Sequence, residues 1–419
     1  MTEWPIEKES FTYVLTGKNK RGWISTPEPM RRVTGADWWS LAHHGSVVEG
    51  EDTMKVTAAV AQTKGEPLVI QELTLDAPRA TEVQVRMVAS GVCHTDAIVR
   101  DQVYPTPLPA VLGHEGAGVV VAVGDGVTSV DVGDHVLLSF SSCGVCSSCV
   151  SGHPSYCIHL YDLDFGGSRT DGSTAFTAED GTAVSSHFFG QSSFASVSNV
   201  AERSVVKVSK EAPLELMGPL GCGVQTGAGA VLNVLEPEAG SSIVIFGSGA
   251  VGMSGLLAAV VANATTIIAV DIIDSRLEFA KSLGATHTIN SKNEDAVARI
   301  REITGGGANY ALDTTGNKSV FTQMTNSLGT LGHGALVGAA APGTESPIDI
   351  GNLLLSGLKI SMVIEGDSVP QTFIPRLISL YEAGVFPFDK LVKKYDFADI
   401  NQAFADSESG ETLKPVVTF

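Results

Sequence analysis

The stretch Ser241–Gly252 reads SSIVIFGSGAVG. Its apolar run Ile243–Phe246 predicts a short strand buried on both faces. Gly247, Gly249 and Gly252 follow as G-x-G-x-x-G, and an apolar, helix-like run starts directly afterwards. In that context the first glycine permits a tight turn and the second lets a pyrophosphate reach backbone amides at a helix N-terminus. The third lets the helix pack closely on the strand. The next strand, TTIIAVD, ends on Asp271, 19 residues past Gly252. A carboxylate there accepts hydrogen bonds from ribose hydroxyls and repels a 2′-phosphate, which favours NAD over NADP. Arg276 is expected beside the same ribose, and its positive charge weakens a strict preference. The alternative is a glycine-rich packing turn with a helix-capping aspartate.

Outward from this point the chain divides by pattern. From about Ser241 to Glu365, strands alternate with helices: SSIVIFG, TTIIAVD, the helix DSRLEFAKSLGA, then YALDTTG and GALVGAA. That alternation predicts an open parallel sheet with crossover helices. From Met54 to about Pro219 the pattern is instead short β-rich runs broken by Gly, Pro and Asp, such as EVQVRMVASG, GAGVVVAVGDGV and DVGDHVLLSF. In the tail, Ile374, Leu377, Ile378 and Tyr381 fall on one helical face. Residues 1–53 stand apart. They hold all four tryptophans, three helix-breaking prolines and eight acidic residues, and they do not read as a transit peptide. We expect translation to start at Met54, because Glu49-Gly50-Glu51 is compatible with a ribosome-binding sequence just upstream.

The chain has 419 residues with 27 basic and 46 acidic side chains, a formal charge of −19. That excess disfavours phosphate neutralisation on nucleic acid and attraction to an anionic membrane. The longest apolar stretch, Gly252–Val270, is interrupted by Asn263, Thr265 and Thr266. It predicts a buried helix followed by a buried strand rather than a membrane span. The polar start and reduced thiols fit the cytoplasm.

There are six cysteines, too few for a disulfide scaffold in a chain of this length. Cys143, Cys146, Cys149 and Cys157 lie in CGVCSSCVSGHPSYC, a C-x2-C-x2-C-x7-C spacing. Thiolates that close along one loop can surround a tetrahedral zinc ion with no open position, hence a structural one. An iron–sulfur cluster is the competing reading, but no proline follows the fourth cysteine. The remaining two are Cys93 in GVCHTD and Cys222 in GCGVQTG, and His114 stands in GHEGAG. Two cysteines, one histidine and a water make an open zinc site of the kind used by alcohol dehydrogenase. Read singly, each residue is equally a buried thiol or a core imidazole. Together with the four-cysteine loop and the glycine motif they form one consistent set.

On GHEGAGVV, the four-cysteine loop, GCGVQTGAG and GSGAVG followed by Asp271, the chain resembles the zinc-dependent medium-chain alcohol dehydrogenases from Met54 to Phe419. GVCHTD, DQVYPTPLP, FFGQSSFA, PLGCGVQTGAGAVLN and FPFDKL narrow the resemblance to the bacterial aryl-alcohol (benzyl alcohol) branch. The resemblance implies an α/β fold, a chaperonin-10-like β-barrel catalytic domain at 54–223 and a Rossmann domain at 224–365. It implies that 366–419 returns to the catalytic domain. It implies two zinc ions per chain: a catalytic one on Cys93, His114 and Cys222, and a structural one on the loop cysteines. The reaction would be NAD-linked, reversible oxidation of benzylic primary alcohols. Thr95 would relay the proton, Asp96 would orient His114, Glu115 would assist ligand exchange and His94 would contact the pyrophosphate. Thr226 and Val337 would meet the nicotinamide. Ile98 replaces a histidine that many members use for proton exit. Ser139 and Ala339 stand at positions that are bulkier in ethanol-preferring members, which suggests a wide pocket with Tyr104 and Phe140 as walls. These residues do not separate aryl from geraniol-type or aliphatic alcohols. A homodimer or homotetramer, paired through an edge strand near LLSGLKISMVIEG, is implied by resemblance alone.

Overall fold

The glycine motif joins the central strand of a six-stranded sheet. The strands are β1 (Ser242–Phe246), β2 (Thr266–Asp271), β3 (His287–Asn290), β4 (Ala308–Asp313), β5 (Leu328–Leu336) and β6 (Lys359–Met362). Their order is β3-β2-β1-β4-β5-β6, and every neighbouring pair is parallel. This is the doubly wound Rossmann order, whose ligands sit beyond the carboxyl ends of the strands where the order reverses. Ile243–Phe246 are at most 1% exposed, as helix-covered faces on both sides of a parallel sheet require. The structure is a computed structural model and describes residues 53–419. All of segment 1–53 except Thr53 lies outside the described residues, and with it the expectation that translation starts at Met54.

The apolar stretch Gly252–Val270 resolves into α1 (Ala250–Val261) and β2. Asn263, in the left-handed region at φ 60°, turns the chain between them. Among the described residues no helix is long and apolar enough to cross a membrane.

The N-terminal half is antiparallel β-sheet. Met54–Ala61 pairs with Val69–Leu75 in a five-stranded sheet. Glu82–Gly91 forms the middle of a seven-stranded sheet with Gly116–Val123 and Val197–Ala201. The last strand, Lys414–Thr418, closes back on Glu82–Gly91, so the C-terminal segment is built into the sheet of the first half. The helix Pro370–Glu382 buries Ile374, Leu377 and Ile378 on one face.

One further helix, Gly223–Gly229, runs against α1. A Cβ at Gly227 would lie 2.0 Å from the Val251 carbonyl oxygen, so only glycine admits this approach. That packing sets the helix headed by Cys222 directly against α1.

Candidate active site and its two cysteine clusters

Cys93 precedes the short helix His94–Arg100, whose Asp96 points back at the residues that lead into it. Asp96 Oδ2 accepts from the Cys93 amide at 2.9 Å, and Oδ1 accepts from the Gly113 amide at 3.1 Å. The same Oδ1 lies 2.9 Å from His114 Nδ1. Both His114 and Asp96 are fully buried. Asp96 accepts from Nδ1, and the other ring nitrogen, Nε2, has no hydrogen-bond partner. Cys93, His114, Glu115 and Cys222 bring one donor atom each within 4.8 Å of one another. Phe189 stacks on the His114 ring at 4.5 Å and Phe188 meets its edge at 5.5 Å.

Charges in this buried cluster are compensated one by one. Glu115 Oε1 accepts from the Gly223 amide at 3.0 Å and from Lys414 Nζ at 2.9 Å, a pair with almost no exposure. A Cβ on Gly91 would lie 1.9 Å from Glu115 Oε2, so that glycine makes room for the carboxylate. The hydrogen bond with Cys222 pulls the Cys93 thiol well below its ordinary range despite burial, with Lys414 and His114 helping. Cys222 is driven the other way by that same contact and by burial. For His114, burial opposes the charged ring, but Asp96 and the Cys93 sulfur outweigh it and raise its pKa. Glu365 Oε1 lies 3.3 Å from Cys222 Sγ, and Oε2 accepts from Gln225 Nε2 at 3.0 Å. Burial pushes Glu365 up to about 7.

Ser139 is fully buried, and the volume beside it holds the Gln225 side chain. Gln225 Nε2 donates to Ser139 Oγ at 2.7 Å and to the Gly221 carbonyl at 2.6 Å. Phe140 belongs to the hydrophobic core of the first half. Tyr104 is half-buried at the edge of that core and donates to the Ala340 carbonyl at 2.7 Å.

A cleft of about 600 Å³ opens from Cys93 toward the Rossmann sheet, lined by His94, Gly247, Gly249, Asp271, Arg276 and Lys414 among others. Gly247 has φ 89°, which requires glycine, and a Cβ on Gly252 would lie 1.8 Å from the Gly247 carbonyl oxygen. Asp271 Oδ2 accepts from the Ser248 amide at 2.6 Å and so fixes the glycine turn. Arg276 is held against Gly410, where a Cβ would lie 2.4 Å from its guanidinium. Thr226 and Val337 do not line this cleft. The Thr226 hydroxyl faces Glu365 Oε2 at 3.4 Å, and the Val337 amide donates to the Asp313 carbonyl at 2.9 Å. Thr95 is half-buried beside Cys93, its Oγ1 3.9 Å from the sulfur.

The four-cysteine lobe is a second, separate cluster. The sulfurs of Cys143, Cys146, Cys149 and Cys157 lie within 4.8 Å of one another, and all six cysteines of the chain are free. Backbone amides of Cys143, Cys146 and His159 point at sulfurs from 3.3 to 3.4 Å. Amides of Cys149 and Ile158 hold Cys146 down at about 6, while burial pushes Cys157 up to about 12. Each cluster therefore offers four donor atoms to one ion, the buried one with a carboxylate as its fourth.

The reading of the sequence did not find Glu365, Lys414, Gln225, Phe188 or Phe189 as neighbours of the site. Phe188 and Phe189 lie in FFGQSSFA and Gln225 in GCGVQTG, but no local pattern marks Glu365 or Lys414.

Two family models match the chain: the alcohol dehydrogenase GroES-like domain over residues 79–210 and the zinc-binding dehydrogenase domain over residues 250–383. A geraniol dehydrogenase of Castellaniella defragrans is 44% identical over 374 residues, covering 88% of this chain and 99% of the relative. The chain belongs to the zinc-dependent medium-chain alcohol dehydrogenases. Solved structures of the family agree with its fold. The benzyl alcohol dehydrogenase of Acinetobacter calcoaceticus is 51% identical, with a TM-score of 0.85 over 87% of this chain and 99% of that one. An alcohol dehydrogenase zinc-binding domain protein from Burkholderia ambifaria is 57% identical, with a TM-score of 0.87 over 88% and 100%. This alcohol dehydrogenase thus combines a GroES-like domain with a Rossmann-type domain.

Proposed function

We propose that this alcohol dehydrogenase oxidises benzylic primary alcohols to aldehydes, reversibly and with NAD. The supporting observation is that a buried donor cluster, packed with aromatic rings, opens at Cys93 onto the cleft along the glycine turn. Phe188 and Phe189 flank His114, and Cys93 lines the cleft that holds Gly247, Gly249 and Asp271.

Cys93, His114 and Cys222 would hold the catalytic zinc, and the four loop cysteines a structural one. The unpartnered, fully buried Nε2 of His114 supports this, because a buried ring nitrogen left without a partner beside two cysteine sulfurs suits a metal ion. When bound, the ion supplies Lewis acidity that acidifies an alcohol oxygen. The side chains do the rest. Asp96 holds His114 in the tautomer whose Nε2 faces the sulfurs. The Thr95 hydroxyl accepts the alcohol proton. His94, exposed at the cleft, takes the pyrophosphate and offers a proton exit that Ile98 cannot. Glu115 and Lys414 keep a neutral pair behind the sulfurs, with Glu115 available to assist ligand exchange. NAD bound in the cleft would supply the hydride acceptor, and Thr95 would pass the alcohol proton outward, so that loss of two hydrogens would give the aldehyde. Asp271 selects NAD through the ribose hydroxyls, with Arg276 nearby. Thr226 and Val337 remain our assignments for the nicotinamide end.

The similarity to geraniol dehydrogenase favours a second reading, the same chemistry on allylic terpenoid alcohols. NADH formation with benzyl alcohol, geraniol and ethanol, each with NAD and with NADP, separates the two. A kcat/KM that is highest for benzyl alcohol with NAD supports the first reading; a geraniol maximum replaces it. We further propose a homodimer or homotetramer paired along β6, the outer strand of its sheet, beside the exposed Ile350, Leu354 and Leu355. Light scattering that finds a monomer would sink this. A grouping of the cysteines for metal binding rather than for disulfides would suit a cytoplasmic location.

A further inference from the structure

Between β6 and the helix Pro370–Glu382 the chain makes a turn of successive positive-φ residues. Glu365, Gly366 and Asp367 are three successive residues in the left-handed region, at φ 49°, 67° and 46°. Two of them are not glycine, so the surroundings must enforce the conformation. Gly366 lies against the helix Gly223–Gly229, where a Cβ would come within 2.4 Å of the Gln225 carbonyl oxygen. Asn233 Nδ2 donates to the Gly366 carbonyl at 3.1 Å, and Ser368 Oγ donates to the Glu365 carbonyl at 2.5 Å.

The result is a carboxylate set along one face of that helix. Glu365 is 8% exposed. Its Oε1 meets Cys222 Sγ at 3.3 Å, and its Oε2 meets Gln225 at 3.0 Å and Thr226 at 3.4 Å. These three residues are i, i+3 and i+4, which share a helix face. On the other side, the four-cysteine lobe grips the turn. Tyr156 donates to the Met362 carbonyl at 2.8 Å and accepts from the Ile364 amide at 3.4 Å, while His153 Nδ1 bridges both oxygens of Asp367 at 2.8 and 2.9 Å.

We propose that Glu365 is a positioning residue that couples the metal-ligating Cys222 to Thr226 on the cofactor side, and that Tyr156 and His153 of the four-cysteine lobe hold it in register. The proposal rests on the assignments of Cys222 and Thr226 made above. A shared rigid partner makes each site respond to occupancy of the other, and the coupling is reciprocal. The lobe then has a role beyond stability, since it fixes the turn from which Glu365 projects.

The test uses the full chain with cobalt in the Cys93–His114–Cys222 site and NADH as the probe. In the wild type, NADH should shift the visible cobalt–thiolate absorption, and cobalt should tighten NADH binding by roughly tenfold. In Glu365→Ala the chain should still bind both, but the spectral shift should vanish and the tightening fall to about onefold. Glu365→Gln keeps a carbonyl acceptor for Gln225 and Thr226 and should restore part of it. Tyr156→Phe should lower the coupling in the same direction by a smaller factor. Wild-type coupling in Glu365→Ala overturns the proposal; if that variant does not fold, wild-type coupling in Tyr156→Phe does so. A wild-type chain that takes up no cobalt at this site overturns the metal assignment itself, whereas uptake without any response to NADH overturns only the coupling.

Discussion

The sulfurs of Cys143, Cys146, Cys149 and Cys157 are gathered by 15 consecutive residues, whereas Cys93, His114 and Cys222 arrive from three separate segments. In the lobe, three of the four cysteines are half-buried and backbone amides do most of the work of stabilising sulfur charge. In the central cluster charges are set by side chains: Asp96 on His114, and Lys414 on Glu115 and on the Cys93 sulfur. A loop can make the first arrangement almost alone. The second exists only when two sheets, a helix and the C-terminal strand have all docked. The lobe should therefore fail first as a loss of local stability, with a smaller effect through the turn that carries Glu365, and the central cluster as a loss of chemistry.

The sharpest way to break that contrast is Cys222→Ser set against Cys149→Ser. The first should lower kcat/KM by about 1000-fold, equivalent to about 4 kcal/mol of barrier, with a melting temperature near that of the wild type. The second should lower the melting temperature by several degrees and change kcat/KM far less. Steady-state kinetics and thermal melts on both variants check this, and equal melting losses would erase the distinction.

Next in size is a charge network that serves only the fold. Arg169 donates to Glu82 at 2.6 Å and His187 lies 2.8 Å from the same oxygen. Burial opposes the charge on Glu82, but His187 and Arg169 outweigh it and hold the carboxyl at about 2, below its ordinary 4.5. A depressed folded-state value means the native state prefers the carboxylate. The stabilisation is complete above about pH 4.5 and is lost as pH falls toward about 2. Its size is about 3 kcal/mol, and Glu82→Gln should cost a similar amount at pH 7 and flatten the acid limb of the stability curve. Denaturant unfolding from pH 7 to pH 3 measures it. A kcat/KM per folded molecule that stays within about twofold would keep this network apart from the chemistry.

Asp96→Asn comes third. Its amide can present a donor to His114 Nδ1 and disturb the tautomer, so zinc affinity or kcat/KM should fall by about 10- to 100-fold. Competition with a chromogenic chelator reads the affinity directly, and an unchanged value would assign Asp96 to loop geometry alone. The smallest effect is expected at Ala339→Val. If the pocket is wide there, the preference for benzyl alcohol over ethanol should fall by roughly fivefold, about 1 kcal/mol. An unchanged ratio would place the specificity elsewhere, with the Phe188–Phe189 wall as the next site to vary.

Much of this molecule can be read from its sequence where the physics is local. The glycine turn before α1, Asp271 at the end of β2 and the spacing of the loop cysteines depend on neighbours within about two dozen residues. The strand–helix alternation after Ser241 likewise follows from short-range periodicity. Cys93, His114 and Cys222 were legible only jointly, because each motif alone is compatible with a buried thiol or imidazole. What only the tertiary structure decided is the surroundings of those three residues. Lys414 reaches Glu115 across 299 residues of sequence and Glu365 reaches Cys222 across 143. The volume beside Ser139 also proved to hold Gln225, 86 residues away. No window of sequence reports such pairs, because they form when separate elements dock and bury charge together. Burial, not spacing, is what makes each of those partners necessary.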